Sequence, residues 1–158
     1  MKRAAVLLCA AALGAASPGL TPIDETGFAR TLSAHRGQIV LFDFWATWCQ
    51  PCRAELPQLV ELQEKYRGRG FVLLTVSADE PETEAAALQF LEKTGIRPPA
   101  YIKRVKNDEA FIDSIDPKWS GALPALFLYD RSGAHTASFF GETDPADIEK
   151  ALDRLVKP

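Results

Sequence analysis

The chain contains two short stretches in which apolar residues run almost without interruption. Residues 38–45 (QIVLFDFW) are broken only by Asp43, and residues 71–77 (FVLLTVS) show a similar pattern. Such short apolar runs are typical of strands that are covered on both faces. Apolar residues at helical spacing predict helices over 24–35, 49–66, 82–94, 108–115 and 144–156. Shorter apolar segments predict further strands over 101–105, 124–129 and 134–140.

The order of these elements predicts the fold class. Strands and helices alternate first, and a hairpin and a final helix follow. This alternation predicts an α/β protein, and the connections between its parallel strands should be right-handed. Its central mixed sheet should have helices on both faces.

Composition limits the chain to one ordinary domain. It has 158 residues, of which 47% are hydrophobic and 25% charged, as in soluble globular proteins. Three cysteines are too few for a disulfide-dense mini-protein. The formal net charge of -3 offers no basic surface for a nucleic acid.

The first residues predict a secretory signal peptide. A basic start is followed by the uncharged stretch 4–16, which is too short to span a membrane. Gly14 and Ala16 supply the small residues that cleavage after Ala16 requires. We therefore expect a signal peptide over 1–16 and one exported domain over 17–158, with a buried N-terminal helix or an uncleaved anchor as alternatives.

Removal of this leader leaves Cys49 and Cys52 as the only cysteines. They follow a predicted buried strand and open a predicted helix. Residues three apart on a helix lie about 5–6 Å apart, which is within reach of a disulfide. The free N–H groups and the positive dipole end of the helix would favour a thiolate at Cys49. Cys52, one turn further on, would be shielded and would resolve a mixed disulfide made by Cys49.

Two structural interpretations of this cysteine pair are weaker. A zinc site would need two more ligands, and His35 and His135 stand at no standard zinc spacing. A structural disulfide across two residues closes too small a loop to stabilise the fold much. Redox chemistry is therefore the favoured interpretation.

The motif carries a resemblance to a known family. The run FWATWCQPC, the buried strand before it, Pro57 and the pair Leu123-Pro124 resemble the thioredoxin superfamily over about residues 24–156. Within that superfamily, the leader, the pattern WATWC-x-PC-R-x-E-x-P and the extra segment between Ala78 and Leu123 resemble the exported TlpA/ResA/DsbE (CcmG) branch. The resemblance implies a thioredoxin-like fold with a β-α insertion between the second core strand and the strand after a cis-proline.

The resemblance also implies a substrate surface. Pro124 would be the cis-proline that faces the active site. The backbone of Leu123 would be free to pair with an extended substrate peptide. Trp48 stands immediately before the first cysteine, and we expect it to be partly exposed as a substrate contact.

Two acids are candidates for moving the proton of Cys52. Asp43 interrupts an apolar strand, where burial makes the charged form costly. Glu55 follows Cys52 by three residues and shares its helix face. By resemblance, Asp43 matches the buried acid of thioredoxins and Glu55 the active-site glutamate of the ResA-like branch.

The favoured interpretation is an exported thiol–disulfide oxidoreductase that reduces disulfides of particular periplasmic proteins. It would be a monomer without a lasting membrane anchor, and would need no metal and no cofactor beyond the Cys49–Cys52 disulfide. Because the periplasm is oxidising, a reductant there needs an electron donor. The resemblance implies a membrane thiol carrier of the DsbD/CcdA kind, and substrates such as apocytochrome c thiols or copper-site cysteines.

Other functions of the same fold stay open. A periplasmic oxidant is one, because C-x-x-C proteins span potentials from about −270 to −120 mV. A Sco-like copper chaperone is another, although those proteins use C-x-x-x-C with a distant histidine, for which His135 is the candidate here. A peroxidase of the peroxiredoxin kind is disfavoured because no P-x-x-x-T-x-x-C motif occurs.

Overall fold

The computed structural model describes residues 19–156, so the signal peptide predicted over 1–16 lies outside the described residues. Six strands, five α-helices and one short 3-10 turn follow each other along the chain. In chain order they are β1 (Thr21–Ile23), α1 (Glu25–Ala34), β2 (Ile39–Trp45), α2 (Gln50–Lys65), β3 (Phe71–Ser77), the 3-10 turn (Pro81–Thr83), α3 (Glu84–Thr94), β4 (Tyr101–Lys103), α4 (Asp108–Ile115), β5 (Ala125–Tyr129), β6 (His135–Phe140) and α5 (Pro145–Val156).

The strands form one mixed sheet in the order β1-β4-β3-β2-β5-β6. The strands β1, β4, β3 and β2 are parallel to one another, whereas β5 is antiparallel to both β2 and β6. The carboxyl ends of β2 and β3 therefore meet at one edge of the sheet, with Trp45 paired to Ser77. The N-terminal end of β5 joins them there, because Ala125 pairs with Phe44. The predicted α/β class with a mixed sheet is confirmed.

The central strand β2 is buried along its whole length and separates two cores. Successive side chains of a strand point to opposite faces. Accordingly Ile39, Leu41 and Trp45 pack toward α2, α3 and α5, in the same core as the two cysteines. Val40, Phe42 and Phe44 pack toward α1 and α4 on the other face. Helices thus cover both faces of the sheet, as the sequence predicts.

The main difference from the predicted elements is the strand β1. Only Ile23 of its three residues is buried, so its pattern cannot be told from a loop. It is held at the edge of the sheet by pairing with β4. The helix α1 follows at once, capped by the Asp24 carboxylate, which accepts a hydrogen bond of 2.7 Å from the Gly27 N–H.

The segment between β3 and β5 holds α3, β4 and α4. β4 extends the sheet beside β3, and α4 covers the α1 face through Phe111 and Ile115. Within residues 19–156 no helix combines the length and the hydrophobicity needed to cross a membrane.

Candidate active site

The two cysteines lie at the junction of β2 and α2 and form a disulfide, with Cα atoms 5.3 Å apart. Cys49 is the N-cap of α2, and its Sγ accepts a hydrogen bond of 3.3 Å from the Cys52 N–H. The Cys49 N–H donates back to the Ala46 carbonyl at 3.1 Å, which closes a turn. Pro51 fits in the first helical turn because an N–H there would have no helical partner.

The cysteine pair is almost covered, while the residue before it is not. Cys49 is 5% exposed and Cys52 1%, so Cys52 is shielded as predicted. Trp48 is 69% exposed, more than any other large apolar side chain among residues 19–156. Trp45 is fully buried and packs against Phe90 with ring centroids 5.4 Å apart. Trp48 is therefore an exposed apolar group next to the disulfide.

The Leu123–Pro124 peptide bond is cis, as the resemblance implies. Pro124 precedes β5 at the sheet edge where β2 ends, and its carbonyl accepts a hydrogen bond of 2.9 Å from the Gly141 N–H. Leu123 packs against both cores. Among the described residues no turn, loop or cap hydrogen bond involves the Leu123 backbone.

Two buried carboxyl groups lie behind the cysteines. Asp43 is 1% exposed on the face of β2 that packs against α2, and Glu55 is 7% exposed on the same α2 face as Cys52. Asp43 Oδ2 and both carboxyl oxygens of Glu55 have no hydrogen-bond partner among residues 19–156. Burial raises the pKa of Glu55 to about 7. Burial, and secondly the nearby Glu55, raise the pKa of Asp43 well above its ordinary value.

The raised pKa of Glu55 should appear as a pH-dependent stability. The folded protein retains the Glu55 proton up to about pH 7, whereas the unfolded chain releases it near the ordinary pKa of 4.5. Stability should therefore fall as the pH rises from 4.5 to about 7. Glu55→Gln should be more stable than the wild type at pH 8 by about 1–3 kcal/mol, and should lose much of this slope. Urea unfolding of the oxidised protein at several pH values measures both.

Glu61→Gln is the matched control, because Glu61 lies on the same helix but is exposed. It should leave the slope of stability against pH unchanged. Equal slopes for the wild type and Glu55→Gln between pH 4.5 and 7 would show that Glu55 is not held protonated in the fold.

Asp79 lies next to the active site, and the sequence alone does not reveal its contact with Thr47. The acidic segment 79–82 predicts the N-terminal region of a helix, and the 3-10 turn does begin there, with Glu80 at the N-cap position and Glu82 in the first turn. Neither Glu80 nor Thr83, the residues that precede the 3-10 turn and α3, makes a side-chain cap hydrogen bond. Asp79 is instead buried and accepts hydrogen bonds from both the N–H and the hydroxyl of Thr47. One sequence feature could have indicated this contact. Asp79 closely follows β3, and Thr47 closely follows β2. Because parallel neighbours end on the same side of the sheet, the two residues could be expected to lie close together.

The described residues contain no cluster of three or more His, Cys, Asp or Glu side chains suited to a metal ion. His135, on which the copper alternative depends, is exposed on β6, and its Nε2 lies 2.9 Å from the Ser138 hydroxyl and 3.0 Å from the Ala137 carbonyl. Cys49, Cys52 and His135 are therefore not assembled into one ligand set.

Comparison with known proteins gives a family and a fold. The model of the AhpC/TSA family matches residues 13–134. The thiol-disulfide oxidoreductase ResA of Geobacillus kaustophilus is 32% identical over 146 residues, covering 92% of this chain and 79% of ResA. Among solved structures, a secreted thiol-disulfide isomerase from Corynebacterium glutamicum matches with a TM-score of 0.68 and 23% identity, covering 79% of this chain and 74% of that one. A thioredoxin-family thiol:disulfide interchange protein from Chlorobium tepidum matches with a TM-score of 0.63 and 23% identity, covering 79% and 84%. With its helix-capping Cys49–Cys52 pair, this chain belongs to the AhpC/TSA family within the thioredoxin superfamily and is a thiol–disulfide oxidoreductase similar to ResA.

Proposed function

We propose that this enzyme reduces disulfides of specific periplasmic proteins through Cys49 and Cys52. The observation that carries the proposal is the position of the cysteine pair at the N-terminus of α2, directly behind the exposed Trp48. A dithiol in that position can exchange with a protein that docks on Trp48. Glu55 and Asp43, on the inner side of the pair, can exchange protons with it.

The reaction proceeds by two thiol–disulfide exchanges. The Cys49 thiolate attacks one sulfur of the substrate disulfide, and the other substrate sulfur leaves as a thiolate that takes up a proton. The Cys52 thiolate then attacks Cys49 Sγ and releases the second substrate sulfur, which is protonated in turn. Two electrons and two protons pass to the substrate, and the Cys49–Cys52 disulfide remains. No cofactor or metal takes part.

The surroundings of the cysteines support the reducing direction. A C-x-x-C protein is a strong oxidant when its reduced form is specially stabilised. Here the two acids Asp43 and Glu55 are buried beside the cysteines, and any negative charge that they acquire as the pH rises opposes a nearby thiolate. This arrangement limits stabilisation of the reduced form and favours a low potential.

The location and partners follow from the same proposal. The leader over 1–16 would direct residues 17–158 to the periplasm as a monomer without a lasting anchor. Reduction there consumes electrons that the compartment does not supply, so a membrane thiol carrier of the DsbD/CcdA kind would reduce the Cys49–Cys52 disulfide again. Thiols of apocytochrome c or of copper-site proteins are the substrate class that the family resemblance favours.

The reduction potential tests the direction. The protein is equilibrated with glutathione and dithiothreitol buffers, and the oxidised fraction is read from the fluorescence of the tryptophans beside the disulfide. We expect a potential nearer to about −270 mV than to −120 mV. A value near the oxidising end would overturn the reducing function and favour the disulfide-forming alternative.

Replacement of Trp48 tests the docking surface. Trp48→Ala should raise KM for a protein disulfide about tenfold, since exposed tryptophans often dominate binding at interfaces. The rate with oxidised glutathione should change little, because so small a substrate does not need the docking contact. Steady-state kinetics with both substrates measures the split.

Trp48→Phe is the conservative control and should retain most of the affinity for the protein disulfide. An equal loss with both substrates would mean that Trp48 supports the geometry of the cysteines and does not bind substrate.

A further inference from the structure

The Asp79 carboxylate is the meeting point of three segments next to the active site. It is 1% exposed and accepts four hydrogen bonds. Oδ2 accepts from the Thr47 N–H at 2.9 Å and from the Ser77 hydroxyl at 2.7 Å. Oδ1 accepts from the Thr47 hydroxyl and, at 3.1 Å, from the Thr83 hydroxyl. The carboxylate thus joins the end of β3, the 3-10 turn and the loop that leads to the cysteines.

The backbone of Asp79 is itself fixed from the opposite side. The Arg104 Nη1 donates to the Asp79 carbonyl at 2.8 Å, while the Arg104 Nη2 pairs with Glu84 at 3.0 Å. The preceding Ala78 N–H donates to the Trp45 carbonyl at 2.8 Å. Asp79 is therefore a rigid support and not a mobile surface acid.

Thr47 lies inside the turn that presents the reactive groups. The turn runs from Ala46 to Cys49, and only one backbone hydrogen bond closes it. Trp48, at its outer corner, is exposed and has little packing of its own. Ala46 and Cys49 anchor the two ends of the turn by burial, and the two bonds from Thr47 to Asp79 restrain its more exposed middle.

We propose that Asp79 is a positioning residue for thiol–disulfide exchange, which holds the Ala46–Cys49 turn so that Trp48 and the Cys49 sulfur face the docking protein together. This inference rests on the proposed function. Exchange requires three sulfur atoms to align, so a loosened turn spends less time in a reactive arrangement. Asp79 contacts neither sulfur nor substrate and acts only through Thr47.

Two threonines allow a matched test, because the hydroxyls of Thr47 and Thr83 donate to the same oxygen of Asp79. Thr47→Val should slow mixed-disulfide formation with a protein disulfide about 3–10-fold, the effect of one lost hydrogen bond. Thr83→Val removes a donor from the same carboxylate but changes no contact of the Ala46–Cys49 turn, and it should leave this rate unchanged. Thr47→Ser keeps the hydroxyl and should restore the wild-type rate.

A second measurement does not depend on activity. The backbone order parameters of Trp48 and Cys49, from ¹⁵N relaxation of the reduced protein, should fall in Thr47→Val and stay near the rigid value of about 0.85 in Thr83→Val. If both variants slow exchange equally, or if the order parameters do not change in Thr47→Val, the positioning role is overturned. A wild-type protein that reduces no protein disulfide would refute the proposed function, and the order parameters would still decide whether Asp79 restrains the turn.

Discussion

Cys52→Ser should accumulate covalent complexes in which Cys49 is joined to partner proteins through a mixed disulfide. The first exchange needs only Cys49, whereas release of the partner needs the Cys52 sulfur one helical turn away. Cys49→Ser should trap nothing and should lower the exchange rate at least about 1000-fold, because the attacking sulfur is gone. Non-reducing electrophoresis and mass spectrometry of the captured complexes measure the trapping.

The exposure of the two cysteines does not by itself identify the attacking one. Cys49 and Cys52 are both nearly covered in the disulfide form, at 5% and 1% exposure, so accessibility alone separates them only slightly. The assignment of Cys49 as the attacking cysteine rests on its position at the N-terminal end of α2, next to Trp48. Dithiothreitol should release every trapped partner. Equal trapping by Cys49→Ser and Cys52→Ser would reverse the roles of the two cysteines.

Local patterns were sufficient to predict the elements that are defined by burial. The strands β2 and β3 were predictable because continuous apolar runs can be stable only in the middle of a covered sheet. The helix α2 was predictable from its apolar spacing, and the exposure of Trp48 from its position immediately before Cys49. The strand β1 was not predictable, since its pairing with β4 leaves two of its three side chains exposed.

Residue contacts across the sheet were harder to predict than elements. The acid Asp43 stands out within an apolar run, so its burial could be expected. The local pattern around Asp79 indicates only a helix N-terminus and not its contact with Thr47, which lies 32 residues earlier in the chain. Only the knowledge that β2 and β3 are parallel neighbours places the two together. The cysteine pair could therefore be predicted from a local motif, whereas the contact of Asp79 with Thr47 could not.

The two buried acids are candidate proton acceptors for Cys52. Cys52 is surrounded by apolar side chains, and such surroundings disfavour a thiolate. Cys52 must nevertheless lose its proton to attack Cys49. Glu55 shares its helix face, and because the pKa of Glu55 is raised to about 7, this carboxyl can accept a proton near neutral pH and release it again. Asp43 is the second candidate acceptor, and burial together with the nearby Glu55 raises its pKa well above the ordinary value.

Glu55→Gln and Asp43→Asn should each slow resolution of the mixed disulfide about 10–100-fold near pH 7, the usual range for a lost general base or somewhat below it. The loss should be largest between pH 6 and 7 and should shrink toward pH 9, where Cys52 can ionise without help. The rate is measured by loading Cys49 with thionitrobenzoate and following its release, because the attack of Cys52 on Cys49 Sγ expels this chromophore.

Several controls separate proton transfer from damage to the fold. Glu61→Gln, on the exposed side of α2, should resolve the mixed disulfide at the wild-type rate at every pH. Asp43→Asn should not lower the thermal midpoint, since it removes a buried ionisable group that has an oxygen without a hydrogen-bond partner among the described residues. Because Asp43 and Glu55 interact, the double variant should lose less than the product of the two single effects. If the double variant releases thionitrobenzoate at the wild-type rate from pH 6 to 9, neither acid accepts the Cys52 proton.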